Sequence, residues 1–152
     1  VSPFSNKIYF QFRNFPLTSI HPNAFAGARA AEAAAQQGNF WQMHDLLYEQ
    51  NLAYYNGGEP SNTWIGSTSP LSYFVSDAQQ LGLNVAQFKT DYASDKVNNL
   101  VNADMAAGNK LGVNATPTFI LDGKQLNNPP YTNEAAFAKI IQAEINKKTN
   151  TK

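Results

Sequence analysis

The sequence contains no cysteine. Disulfide bonds, thiolate metal ligands and thiol catalysis are therefore excluded within these 152 residues. Charge is also scarce, since charged residues make up 14% of the chain and 11 basic side chains balance 11 acidic ones. Because no basic excess is available to neutralise phosphates, the composition argues against a nucleic-acid partner.

Long apolar runs are missing as well, so the sequence predicts no transmembrane helix. The first residues, Val1-Ser2-Pro3-Phe4, lack the basic and apolar regions of a signal peptide, and the chain starts without Met. We therefore interpret it as a mature product, a trimmed form or a fragment. What is present, 43% hydrophobic and 12% aromatic residues, is typical of one folded domain with a continuous core.

The N-terminal part predicts a strand followed by helices. Lys7–Phe12 is dense in β-branched and aromatic residues, which favours a strand, and Pro16 ends it. Asn23 is expected to cap an alanine-rich helix over Ala24–Gln37, whose thin face suits a close approach to a sheet. Further helices are predicted from near Asn39, Leu71, Val85 and Ser94.

After these helices the apolar pattern changes its period. Thr118–Leu121 is a continuous apolar run, typical of a strand that is covered on both faces. Asp122-Gly123 predicts a two-residue hairpin turn, with Lys124–Leu126 as the return strand. Apolar residues from Phe137 to Ile145 recur at helical spacing. The order of elements indicates an α/β domain with a helical insertion.

Three segments together resemble one family. They are Arg13–Leu17 with His21-Pro22, then Gly38–Leu47, and then Leu111–Phe119. In this order they make the chain similar to the DsbA-like thiol:disulfide oxidoreductases, which are thioredoxin folds with an inserted helical subdomain. The resemblance implies one domain over residues 1–152, with 1–22 and 112–152 as the thioredoxin part and about 23–111 as the mostly helical insertion.

The chain departs from that family in its chemistry. The resemblance implies a Cys-x-x-Cys motif at the start of a first helix, where the helix dipole stabilises a thiolate, and no such motif is present. It also implies that residues 1–6 match the tail of that helix and that the first strand is absent. That strand would separate Lys7–Phe12 from the hairpin. The two strands then close up directly, a partner chain or a second copy donates a strand, or an N-terminal segment lies outside these residues; we favour the last.

Ala115, Thr116 and Pro117 are the candidate substrate-binding residues. The resemblance implies a cis bond between Thr116 and Pro117, with the backbone before it binding an extended polypeptide as an added strand. It also implies that Thr116 tunes the cysteine pair in the complete protein. The alternative is an ordinary trans proline that opens a strand.

Two histidines and two carboxylates are weaker candidates. His21 and His44 suggest a metal or acid–base pair, but no partner falls at ligand spacing, which favours packing or surface roles. Asp45 and Glu49 are four residues apart, and we interpret them as a solvated helix face.

Aromatic residues also occur in a polar stretch that we predict to be a loop over Ala53–Ser69. Tyr54, Tyr55 and Trp64 either line a peptide-binding groove or pin this loop onto the body of the domain, and we favour the second role.

We therefore expect part of a DsbA-like thiol:disulfide oxidoreductase that acts on cysteine pairs of exported proteins and is inactive without its own cysteine pair. The resemblance implies an extracytoplasmic location, a possible membrane redox partner, and no metal or organic cofactor. The alternative is a redox-inactive thioredoxin-like module that binds extended polypeptides as a chaperone or scaffold.

Overall fold

A computed structural model describes Phe4, residues 6–56 and residues 63–150. Within this part, the chain forms six helices and one two-stranded sheet. The helices are α1 (Ala24–Ala35), α2 (Phe40–Tyr55), α3 (Leu71–Gln80), α4 (Val85–Ala93), α5 (Asp95–Lys110) and α6 (Glu134–Asn150). The strands are β1 (Ile120–Leu121) and β2 (Lys124–Gln125). None of the described helices has the length and hydropathy that crossing a bilayer requires.

The chain divides into two compact units. One unit is Arg13–Asn114, and the other combines Val1–Phe12 with Ala115–Lys152. The helical unit takes in residues 13–22 because that segment is bonded to its helices, as described below. Most of residues 1–6, predicted to be the tail of a helix, lie outside the described residues.

Helix α1 is the centre of the helical unit, where it packs against α2, α3, α4 and α5. Its residues Ala30, Ala33 and Ala34 are completely buried. Side chains this small let neighbouring helices come close to the α1 backbone. In this unit the close approach predicted from the alanines is made to helices rather than to a sheet.

Large apolar side chains from the surrounding helices are buried as well. The fully buried ones are Met43 of α2, Phe74 of α3, Phe88 of α4, and Val97 and Val101 of α5. Burying a side chain of this size stabilises the fold by about 1.5–3 kcal/mol. Met43, Phe74 and Phe88 belong to one core cluster with the α1 alanines, so their helical spacing in the sequence is the pattern of a shared interior.

Helix ends follow the local chemistry in most places. Asn84 Oδ1 accepts from the N–H of Gln87 at 3.0 Å, and Ser94 Oγ accepts from the N–H of Val97 at 3.2 Å, which caps α4 and α5. Helix α1 begins at Ala24 with Asn23 in the N-cap position, as predicted, but the Asn23 side chain makes no capping hydrogen bond. Its amide nitrogen donates instead to the carbonyls of a distant loop.

The hairpin predicted around Asp122-Gly123 is confirmed. Strands β1 and β2 are antiparallel, with Ile120 opposite Gln125, and the N–H of Leu126 donates to the carbonyl of Phe119 at 2.8 Å. Asp122 and Gly123 have φ angles of 51° and 77°. Positive φ at both turn residues matches the twist of the strands, and Asp-Gly accepts it readily.

The strand predicted at Lys7–Phe12 is wrong, since residues 8–17 form neither helix nor strand. A strand needs hydrogen bonds from a neighbour, and among the described residues β1 pairs with β2 alone. The two predicted strands therefore do not close up directly in this part of the chain. The prediction that β1 is covered on both faces is also wrong, because Ile120 is 41% exposed.

Candidate functional site

The segment Ala115–Pro117, just before β1, is the site that the sequence singles out. The Thr116–Pro117 bond is cis, as the resemblance implied, and Ala115, Thr116 and Pro117 are all exposed. The backbone of Thr116 forms no hydrogen bond to any residue that the structure describes. Its N–H and C=O are therefore available to an extended chain laid alongside, in the manner of an added strand.

Thr118 fixes the shape of this segment. Its hydroxyl donates to the carbonyl of Ala115 at 2.7 Å, a bond that reaches three residues back along the chain. The carbonyl of Ala115 is thus already occupied, while the groups of Thr116 are not. The sequence signal for this role is a threonine directly after Pro117, although from the sequence alone Thr118 is predicted only to start a strand.

An aromatic cluster supports the strand that follows the segment. The ring of Phe119 lies 4.9 Å from that of Phe137 on α6 and 5.8 Å from that of Tyr131, centroid to centroid. Aromatic pairs at such distances contribute about 0.5–1.5 kcal/mol beyond their buried area. Phe119 therefore ties the residues after Pro117 to α6.

A buried polar cluster in the helical unit was not foreseen from the sequence. Asp104 of α5 accepts hydrogen bonds from Arg13 Nη1 at 2.6 Å, from the Asn14 N–H at 2.9 Å and from Asn14 Nδ2 at 3.3 Å. Asn14 Nδ2 also donates to Glu32 of α1 at 2.7 Å. The cluster joins the segment after residue 12 to two helices. Its members lie far apart in the sequence, so no local sequence pattern predicts their contact.

The pKa of the Glu32 carboxyl in this cluster is raised. Burial raises the pKa of the Glu32 carboxyl, the hydrogen bond from Asn14 lowers it, and the nearby carboxylate of Asp104 raises it further. The guanidinium of Arg13 has the opposite, smaller effect. Glu32 therefore takes up a proton more readily than a fully solvated glutamate does.

The two histidines lie in different settings. His21 is exposed and lines a cavity of about 340 Å³ beside Asn23. His44 Nδ1 lies 2.9 Å from Asp45 Oδ1, and its ring stacks on that of Tyr48 at 4.5 Å. No three His, Asp or Glu side chains in the described residues come together as a metal-binding group. His44 is thus part of an aromatic stack on α2.

The predicted carboxylate face and loop aromatics are placed as follows. Asp45 and Glu49 are exposed on α2. Trp64 is 9% exposed, and its ring lies 5.6 Å from that of Phe74 and against Gly27, so it pins the loop onto the helical unit. The side chains of Tyr54 and Tyr55 lie outside the described residues. Helix α2 extends to residue 55, three residues into the predicted loop.

Comparison with known proteins identifies a family. A family model described as "Thioredoxin" matches residues 4–143 of this chain. The match includes Ala115–Thr118, the hairpin and all of α1–α5, and it ends within α6. It therefore covers both the candidate segment and the helices of the larger unit.

Curated relatives bear a different name. The chain is 35% identical over 136 residues to "Na(+)/H(+) antiporter NhaA 3" of Salinispora tropica, which is 90% of this chain and 18% of that protein. It is 33% identical over 143 residues to "Na(+)/H(+) antiporter NhaA 1" of Salinispora arenicola, 94% of this chain and 19% of that protein. It is 34% identical over 129 residues to "Na(+)/H(+) antiporter NhaA 1" of Mycolicibacterium gilvum, a match that covers 83% of this chain and 18% of that protein. The chain thus spans about a fifth of the length of these relatives.

Proposed function

We propose that this chain, which belongs to the thioredoxin family, is the polypeptide-binding part of a DsbA-like thiol:disulfide oxidoreductase. The observation that carries the proposal is the exposed, unbonded backbone of Thr116 beside Pro117. An extended substrate segment pairs with these groups through main-chain hydrogen bonds, so binding depends little on the sequence of the substrate. This suits an enzyme that acts on many proteins.

The thiol chemistry requires a cysteine pair that these 152 residues do not supply. In the proposed protein another segment supplies it, and the exchange passes through a mixed disulfide. Either a thiolate of the pair attacks a substrate disulfide and releases a substrate thiolate, or a substrate thiolate attacks the disulfide of the pair and releases one of its thiolates. The role of Ala115, Thr116 and Pro117 is to hold the substrate strand during that exchange. The substrates are exported proteins with cysteine pairs, and the location is extracytoplasmic, where disulfides persist.

The antiporter relatives bear on partners rather than on chemistry. A segment similar to this chain forms about a fifth of proteins that carry a transporter name. We infer that a domain of this kind operates next to a membrane partner, with which it exchanges electrons. We do not propose ion exchange for this chain, since it matches only 18–19% of the length of these relatives.

The absence of cysteine favours a second candidate function. A redox-inactive module would use the same segment at Thr116 to bind extended polypeptides, as a chaperone or a scaffold. Both functions share the binding step and differ in whether thiols act beside it.

A comparison of two polypeptides separates these functions. Insulin reduction by dithiothreitol is measured with the 152-residue chain and with the complete polypeptide that its gene encodes. We expect no catalysis by the first and clear catalysis by the second. A complete polypeptide that has no cysteine and no activity would refute the thiol function and leave the binding module. Turnover by the cysteine-free chain would refute the account of where the thiols lie.

A further inference from the structure

Asp77 of α3 is a buried carboxyl without a charged partner. It is 5% exposed, and Gln50 of α2 donates Nε2 to its Oδ1 at 2.8 Å. No ion pair links Asp77 to any residue in the described ranges. The contact between these two side chains therefore joins α2 to α3 through a group that burial disfavours in its charged form.

The two remaining oxygens of the pair carry the inference. Asp77 Oδ2 and Gln50 Oε1 are both buried, and neither has a hydrogen-bond partner among the residues that the structure describes. An ionised carboxyl only accepts hydrogen bonds, as does an amide oxygen, so in that state both oxygens stay unsatisfied. A carboxylic acid and a primary amide, by contrast, each offer a donor and an acceptor and are complementary to one another.

We propose that Asp77 and Gln50 form a proton-operated latch between α2 and α3. With a proton on Asp77 Oδ2, the pair closes through two hydrogen bonds, Nε2–H to Oδ1 and Oδ2–H to Gln50 Oε1. The proton comes from solvent and returns to it, and no other bond changes. Its loss leaves one hydrogen bond and two buried acceptors, so the junction of the two helices weakens.

In the described part of the helices around α3, the charged side chains are engaged elsewhere, so the proton is shared between Asp77 and Gln50. Helix α3 packs against α1, α2 and α4. The charged side chains on those helices are exposed or hydrogen-bonded to other residues: Arg29 and Glu32 on α1, Asp45 and Glu49 on α2, Lys89 and Asp91 on α4. Burial raises the pKa of Asp77, and the hydrogen bond from Gln50 lowers it in part.

The direction of the pH response follows. A raised pKa in the folded state means that the folded chain holds this proton more tightly than the unfolded chain does. The latch stabilises the fold fully in acid, below the ordinary pKa of Asp, and this contribution is lost as the pH rises through the folded value. Protonation in acid therefore tightens the α2–α3 junction, and a pH above the folded pKa of Asp77 loosens it.

A carbon-13 NMR titration of the 152-residue chain tests the proton directly. We expect the Asp77 carboxyl carbon to titrate with a midpoint above about 3.9, the ordinary pKa of Asp. A midpoint at or below that value would overturn the latch. This measurement needs no variant, so it does not depend on whether a variant folds.

A pair of matched substitutions tests the hydrogen bonds. In Asp77→Asn the new amide donates to Gln50 Oε1 permanently, so we expect a higher urea midpoint than for the native chain at pH 8 and equal midpoints near pH 3, about one unit below the ordinary Asp pKa. Asp104→Asn is the control, because that buried carboxylate already accepts from Arg13 and Asn14 and should lose stability at pH 8. A lower midpoint for Asp77→Asn at pH 8 would contradict the proposal.

Discussion

Among the described glycines, Gly108 in α5 leaves the least room for a side chain, and adding one methyl group there is a sharp test of the structure. A Cβ atom on Gly108 would lie 2.6 Å from Cδ2 and 2.8 Å from Cε2 of Phe15. Real Cβ atoms essentially never come within 3.0 Å of such neighbours, so the ring must shift. Phe15 lies next to Asn14, which two further hydrogen bonds fix to Asp104, so the segment has little freedom to move.

Two opposing effects decide the outcome of Gly108→Ala. Alanine in a helix interior is favoured over glycine by about 1 kcal/mol. Overpacking a well-filled site costs about 1–3 kcal/mol. Subtracting the gain from alanine from the middle of the overpacking range, we expect a net loss of about 1 kcal/mol in the free energy of unfolding. For a domain of this size such a loss lowers the melting temperature by about 2–4 °C.

Urea denaturation followed by circular dichroism measures the change. Asn102→Ala is the matched control, because Asn102 is exposed on the same helix and its replacement should stabilise the chain by about 0.5 kcal/mol through propensity alone. In a Phe15→Leu background the clash is relieved, and Gly108→Ala should become neutral or stabilising. A gain of about 1 kcal/mol from Gly108→Ala in the native background, equal to its propensity, would refute the close contact with Phe15.

Two further substitutions test the helix cap and the polar cluster. Ser94→Ala should cost about 1 kcal/mol in urea denaturation because the Val97 N–H loses its acceptor, whereas Ser94→Asp keeps an acceptor and should retain most of that stability; equal losses in both variants would contradict the capping role. Because burial raises the pKa of Glu32, its share of stability is present in acid and lost as the pH rises through the folded value, so Glu32→Gln, which still accepts from Asn14, should raise the urea midpoint at pH 8 and leave it unchanged near pH 3, about one unit below the ordinary Glu pKa. A lower midpoint for Glu32→Gln at pH 8 would show that the charge itself is needed.

The elements that the sequence predicted well are those governed by neighbours along the chain. Ser94 caps α5, at the predicted start of that helix, because its side-chain oxygen reaches an N–H only three residues away. Asp122-Gly123 forms the hairpin turn because both residues accept positive φ. Each of these is a local rule, so a single chain suffices to apply it.

The elements that the sequence missed depend on distant partners. Lys7–Phe12 has the composition of a strand, but composition does not supply the neighbour that a strand needs. Asn23 has the identity of a cap, yet its amide donates to the carbonyls of Trp64, Ile65 and Ser67. Asp104 meets Arg13 and Asn14 across 91 and 90 residues of chain, a distance at which no local pattern applies.

The candidate segment itself lies between these two cases. Its Thr116–Pro117 bond was expected from the resemblance, not from the residues alone. The hydrogen bond from Thr118 to Ala115 is local, and its order Thr-Pro-Thr is visible in the sequence, but the exposure of Thr116 depends on how the rest of the unit packs.

Nitrogen-15 NMR of the 152-residue chain, titrated with a short extended peptide whose cysteines are replaced by serine, tests the central claim most directly. The account predicts that the amide signals of Ala115, Thr116 and Thr118 shift as peptide is added, and that Thr118→Val, which removes the bond to the Ala115 carbonyl, weakens binding. Thr90→Val, an exposed helical threonine, should leave binding unchanged. Saturable binding that leaves those three amides unmoved, or no binding at all, would contradict the account.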